Sequence, residues 1–229
     1  MTMHPLYNGI SAYDAIVGRR STRRFTAAPV AEEIVEAILG AASRAASGMN
    51  MQPWLVHVVT GKARERLSLA VRNAAEQGLS SPEYSYVPSV IKDPYAERRR
   101  KVGFALYELY GIERHDIAAR REAMLRNFDF FGAPVGLFFT MDRAMTAGSW
   151  LDCGMFMQNV MIVAQAYGLQ TCPQQAWCDY GAIVHHELEI PDDHVLLSGM
   201  ALGTADTDAP ENGLMTERVE VRSFATVHR

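Results

Sequence analysis

Residues 151–169 hold the longest apolar run in the chain, about the length of a membrane span. Yet the run carries Asp152, Gln158, Asn159 and Gln165, all costly in hydrocarbon. A stretch of this length and makeup is predicted to be a helix buried on most sides, in a core or in a dimer interface. Whatever else the chain forms must supply enough apolar surface to cover it. With 229 residues, 48% of them hydrophobic, one sizeable domain over residues 1–229 meets that demand.

The remaining patterns indicate what packs around that helix. Helical periodicity is expected over residues 31–46, where Ile34, Val35, Ile38, Leu39 and Ala42 follow Pro29 and Glu32 and Glu33 favour the positive end of the helix dipole. Further helical patterns cover residues 63–77, 95–110, 114–127 and 150–167, the last ended by Gly168. Residues 54–60, 134–140 and 195–203 are short and rich in β-branched and apolar residues, which reads as strands buried on both faces. Strands separated by long helices point to a sheet with helices packed on it. Residues 79–94, with three prolines and Tyr84 and Tyr86, read as a long loop of the kind used for lids. After Gly203 comes a tail with a short β-like stretch, 218–222, and too few apolar residues for its own core, so it must dock elsewhere.

A formal charge of -4 and a pI near 6.0 leave no global basic field for nucleic acid. The basic run Arg98-Arg99-Arg100-Lys101 abuts Val102, Phe104 and Leu106 and reads as a solvated helix end. Cys153, Cys172 and Cys178 make neither a metal pattern nor a paired framework, which suits a reducing cytosol. The start, Met1-Thr2-Met3-His4-Pro5-Leu6, has neither a basic stretch nor an apolar one, so no export signal is expected from it. His57 reads as a satisfied core histidine, and His185-His186 as a surface pair without ligand spacing.

Three segments bear chemistry. Arg19, Arg20, Ser21, Thr22, Arg23 and Arg24 place four guanidiniums and two hydroxyls in six residues, suited to a phosphate or to a solvated basic turn. In the segment Ser47-Gly48-Met49-Asn50-Met51-Gln52-Pro53-Trp54, Gly48 permits close backbone approach and Asn50 and Gln52 offer donors and acceptors. It suits the edge of a heteroaromatic ring, or equally an ordinary helix-to-strand turn with a Trp plug. Thr171-Cys172-Pro173-Gln174-Gln175-Ala176-Trp177 follows the buried helix and presents backbone amides freed by its proline.

Taken in order, these segments resemble the FMN-dependent nitroreductase family, in its nitrobenzoate-reductase-like branch. The matching pieces are R-x-S-x-R from Arg19, S-G-x-N-x-Q-P-W from Ser47, F-F-G-A-P-V-G-L-F-F from Phe130, G-L-x-T-C-P-Q from Gly168, and A-L-G-x(5)-A-P-x-N-x(5)-R from Ala201 to Arg218. The resemblance implies an α+β sandwich, a central, mostly antiparallel sheet flanked by helices. It implies an intimate homodimer with two FMN sites at the interface and a domain-swapped C-terminal arm, residues 204–229, crossing to the partner. Residues 1–10 would be an N-terminal extension and 79–127 a lid or excursion.

By the same resemblance Arg19, Arg20 and Ser21 would hold the flavin phosphate and ribityl oxygens, with Arg218 joining them. Arg23 would lie near flavin N1 and O2, where a cation tunes the ring. Ala46, Ser47, Gly48 and Asn50 would edge the ring from the partner subunit. Gln175 and Ala176 would present backbone amides near N5 and O4, and Asn127 would contribute; whether Gln175 also acts through its side chain is open. The implied chemistry is ping-pong: NADPH or NADH gives hydride to the flavin and leaves, then a small nitroaromatic is reduced through nitroso to hydroxylamine. No catalytic side chain and no metal is called for. The same motifs admit quinones, enones or halogenated aromatics as substrates, or a flavin-binding module without turnover.

Overall fold

A computed structural model describes residues 8–229, so the expected N-terminal extension lies, over residues 1–7, outside the described residues. In chain order the elements are α1 (Ala12–Gly18), α2 (Glu32–Ala42), β1 (Leu55–Thr60), α3 (Gly61–Glu76), α4 (Tyr95–Leu109), α5 (Ile117–Leu125), β2 (Val135–Asp142), α6 (Ala147–Ala166), β3 (Gln170–Gln174), α7 (Gly181–Leu188) and β4 (His194–Gly203). The sheet runs β1-β2-β4-β3, every pair antiparallel. This is the α+β sandwich expected.

β2 explains the layering. Val135, Leu137, Phe139 and Met141 point to one face, against α2 and α6, while Phe138 points to the other, where α3, α7 and the 126–132 turn pack. Alternation with both sets buried is what a strand between two helix layers requires. On β4 a bulge opposite Phe139 and Thr140 leaves Leu197 without a partner across the strand pair, so Leu197 and Met200 both face α6. The Leu197 carbonyl accepts a 2.6 Å hydrogen bond from the Tyr84 hydroxyl, which anchors the start of the 79–94 segment to the sheet.

α6 is the apolar run. Ser149, Asp152, Cys153, Phe156, Val160, Ala164 and Gln165 repeat at helical spacing on its buried side, and Gly168, at φ +71, stops it. Its other side is open within one chain: Leu151 is 71% exposed and Met155 43%. No helix among the described residues is long and apolar enough to cross a membrane.

Several expectations are corrected. β1 is an edge strand with Leu55 and Val58 exposed, not a strand buried on both faces, because only β2 flanks it. The first long helix ends at Ala42, four residues before 46. Thr171-Cys172-Pro173-Gln174 belongs to the edge strand β3, where a proline is tolerated. The 218–222 stretch forms no strand; the tail turns at Val221–Ser223 and its apolar residues, Phe224 among them, stay exposed. Of the two histidines, His186 is exposed, but His185 turns inward to face Glu83 at 3.4 Å. His57 is not a core histidine either: it is only half-buried on edge strand β1, its ring 3.4 Å from the Thr140 hydroxyl, with burial first and then His194 and His185 holding its pKa below the usual value.

Two glycines give opposite predictions. A methyl at Gly199 would lie 2.4 Å from Trp177. Trp177 is fully buried among Phe128, Phe130 and Phe138, so it has nowhere to move. Gly199→Ala is expected to cost about 3 kcal/mol. Gly40 lies on the exposed side of α2 with open space around it, so Gly40→Ala is expected to gain roughly 0.5–1 kcal/mol. Urea unfolding midpoints should move in opposite directions.

Candidate functional site

The arginine segment is laid along the free edge of β3. α1, capped by the Ser11 hydroxyl on the Asp14 amide, ends at Gly18; beyond it Thr22 N donates to Thr171 O at 3.1 Å and Ser21 bridges Thr171. Thr22 and Phe25 go into the core, which leaves Arg19, Ser21 and Arg23 on the partly exposed side. Asn212 then clamps the segment. Its Oδ1 accepts from Arg23 N (2.7 Å) and Arg24 N (3.2 Å), and its Nδ2 donates to Arg24 O (2.7 Å) and Asp206 O (2.8 Å).

The four arginines divide into two kinds. Arg24 pairs with the buried Glu211 at 3.2 Å, and Arg126, stacked on Tyr110, pairs with the same carboxylate at 2.9 Å while donating to Arg23 O. Burial alone would raise the Glu211 carboxyl, but hydrogen bonds from Arg126, from its own amide and from Arg24 hold it below the usual range. Arg24 is therefore spent on structure. Among the described residues Arg19, Arg20, Arg23 and Arg218 have no ion pair. Arg218 donates only to Thr216 and to Glu217 O, and Arg20 to Asn212 O at 3.4 Å.

Burial, and next the neighbouring Arg218 guanidinium, push the pKa of Arg19 below the ordinary arginine value. Cations crowded at one edge, with a serine among them and no carboxylate of their own, are short of an anion. A phosphomonoester, carrying close to two charges and several acceptor oxygens, fits that deficit.

From Thr171, where the arginine segment crosses, to Gln175 is four residues of extended chain, about 13 Å along the same edge. There Gln175–Asp179 forms a short turn held by buried Trp177. Gln175 and Ala176 thus lie on one continuous edge with the arginines. The Gln175 side chain donates to the Tyr84 hydroxyl at 3.3 Å. Tyr84 also meets Trp150 edge-on at 5.0 Å, and burial raises its hydroxyl far above the usual tyrosine value. Asn127 is held from both sides: its carbonyl accepts from Gln174 Nε2 at 2.6 Å and its own amide donates to Met124 O at 2.9 Å.

Ala46, Ser47, Gly48 and Asn50 are not brought to this edge within one chain. The buried Asp152 carboxylate accepts from Gly48 N at 3.1 Å, near the start of α6. Gln165, near its end, donates to Ala15 O of α1 at 2.5 Å. Thirteen residues of helix separate the two pins, about 20 Å at 1.5 Å per residue. The turn itself is strained and outward: Met49, Asn50 and Gln52 all have positive φ, and Met49 is 90% exposed.

Sequence reasoning missed Asn212, Glu211, Arg126 and Tyr84 as builders of the site. Asp152 was visible as a carboxylate out of place in an apolar run, and Asn212 as one letter of a motif; neither signal says what the side chain grips.

The fold is an α+β sandwich, and a family model described as the Nitroreductase family matches residues 16–204; the chain belongs to that family. It is 43% identical over 216 residues to a nitrobenzene nitroreductase of Ectopseudomonas oleovorans, covering 93% of this chain and 95% of that one. It is 37% identical over 213 residues to a 4-nitrobenzoate reductase of Pseudomonas putida, 93% of each chain. Among solved structures, an FMN and NADPH-dependent nitroreductase, NfnB, from Sphigopyxis sp. strain HMH is similar with a TM-score of 0.92 and 40% identity, over 96% of this chain and 100% of that one.

Proposed function

We propose that this chain is an FMN-dependent NAD(P)H oxidoreductase that reduces nitroaromatic compounds to hydroxylamines, in the reducing cytosol, as a homodimer. The single observation that carries the flavin assignment is the set of Arg19, Arg20, Arg23 and Arg218 with Ser21 at the β3 edge, none of these arginines in an ion pair among the described residues. Bound FMN supplies an acceptor for hydride and a donor of electrons to the second substrate. The chain's own residues do the rest. Arg19, Arg20, Ser21 and Arg218 would hold the phosphate end, Arg23 would lie near the pyrimidine side, and the Gln175 and Ala176 amides would serve the ring.

The dimer follows from what one chain leaves undone. Ala46, Ser47, Gly48 and Asn50 are pinned at the far end of α6, and a second copy would bring its own turn to this edge. Leu151, Met155, Leu55, Val58 and Phe224 are exposed within one chain, and a partner with the end of its arm, past Arg218, crossing over would cover them. Three buried, unpaired cysteines suit a reducing compartment.

The protein as isolated should be yellow, with one FMN per chain. A colourless protein that takes up no added FMN would end the proposal; a coloured monomer would end the interface part of it alone.

A further inference from the structure

A second set of guanidiniums gathers away from the flavin edge, on the 79–127 excursion. Arg99, Arg100, Phe104 and Tyr107 share one face of α4, with Ile91 and Arg120 of α5 opposite, around a cleft of about 560 Å³. The aromatic walls already carry stacked cations: Arg120 lies 4.8 Å from the centre of the Tyr107 ring and Arg114 5.2 Å from that of Phe104. The Arg120 Nη1 donates to Arg114 O at 3.3 Å, but its Nε is buried without an acceptor. Among the described residues the one carboxylate paired with a cleft arginine is Asp93, 3.5 Å from Arg100. Among the described residues Arg99 and Arg120 have no ion pair.

We propose that this cleft binds the 2′-phosphoadenosine end of NADPH and so sets a preference for NADPH over NADH; the inference rests on the nitroreductase reading. An adenine ring matches paired aromatic and guanidinium faces, which stack on flat rings. A phosphomonoester takes arginine in bidentate fashion and carries close to two charges. A single carboxylate would leave part of the cationic set unmatched, and the neutral 2′-hydroxyl of NADH offers it nothing.

The cleft also communicates with the flavin edge. Lys101 of α4, next to Arg100 in sequence, pairs with Glu217 at 2.6 Å, and Glu217 adjoins Arg218 of the arginine set. A dinucleotide laid from the cleft toward that edge has its nicotinamide at one end and its 2′-phosphate at the other.

The test uses the FMN-loaded protein and two probes, adenosine 2′,5′-bisphosphate and 5′-AMP, followed by calorimetry. The bisphosphate is expected to bind at least tenfold more tightly than 5′-AMP and to compete with NADPH. Arg99 is exposed and without an ion pair, so Arg99→Ala leaves the fold intact; Arg120→Gln serves as a second variant. Each should weaken bisphosphate binding at least tenfold, the effect of losing a charged hydrogen bond. Each should also lower kcat/KM for NADPH relative to that for NADH by the same factor. An unchanged NADPH-to-NADH ratio in both variants would overturn the proposal. So would a raised KM for 4-nitrobenzoate with NADPH unaffected, which would make the cleft an acceptor site. Failure of the unaltered protein to oxidise either nicotinamide would count against the nitroreductase reading, while bisphosphate binding would still be measurable.

Discussion

Asn212→Ala is expected to abolish FMN retention and to lower stability by about 3 kcal/mol, since four part-buried hydrogen bonds to backbone are lost together. No other side chain described here holds two successive amides of the arginine segment: Arg23 N and Arg24 N both point at its Oδ1, while its Nδ2 ties Arg24 O to Asp206 O. Without it the segment keeps its backbone contacts at Thr22, Phe25 and Thr26, the Asp206 N bond to Arg24 O, the Arg126 bond to Arg23 O and the Arg24–Glu211 pair, but Arg23 N and Arg24 N lose their shared acceptor and the guanidiniums lose a common direction. Asn212→Asp sharpens the test. An aspartate retains the acceptor for the two amides but sets its second oxygen against the Arg24 and Asp206 carbonyls, so it should fall nearly as far as alanine. Urea unfolding with FMN titration reads both effects, and wild-type flavin affinity in either variant would show that the clamp is not needed.

Arg19→Ala and Arg218→Ala are expected to behave in the opposite sense. Each should weaken FMN binding by tenfold or more, because a charge-assisted phosphate contact is worth roughly 1.5–3 kcal/mol. Yet neither should destabilise the flavin-free protein, since each removal relieves the crowding that, after burial, pushes Arg19 down. A variant that loses ligand affinity while holding or gaining stability marks a residue placed for the ligand. Arg24→Ala supplies the contrast: it takes one of two cations from the buried Glu211 and should cost stability directly. Thermal melts of flavin-free protein and fluorescence titration with FMN separate the three variants. Lost stability with unchanged FMN affinity at Arg19 would move the phosphate elsewhere.

These contrasts mark how far the sequence was legible. The order of layers could be read because it rests on local periodicity: β2 alternates between two buried faces, and α6 repeats its apolar side until Gly168. The arginine cluster could be read as a set of charges. Which arginine binds and which braces could not, because that is decided by Glu211, 187 residues beyond Arg24. Asn212 was hidden for the same reason, its partners lying at the other end of the chain. β1 looked doubly buried because composition reports what a strand would tolerate and not which neighbours the sheet gives it. β3 was obscured by Pro173, which a central strand would exclude and this edge accepts. Ala46, Ser47, Gly48 and Asn50 could be recognised as a motif, but only the length of α6 between Asp152 and Gln165 shows that one chain keeps them from the arginines.

The central claim is that a flavin held on this edge passes electrons from a nicotinamide to a nitro group. Anaerobic stopped flow tests it most directly: the FMN-loaded protein is bleached with one equivalent of NADPH or NADH, then mixed with nitrobenzene. The expected result is return of the oxidised flavin spectrum on mixing and, in turnover, two NAD(P)H consumed for each hydroxylamine formed. A bleached protein that no nitroaromatic reoxidises in the absence of oxygen would contradict it.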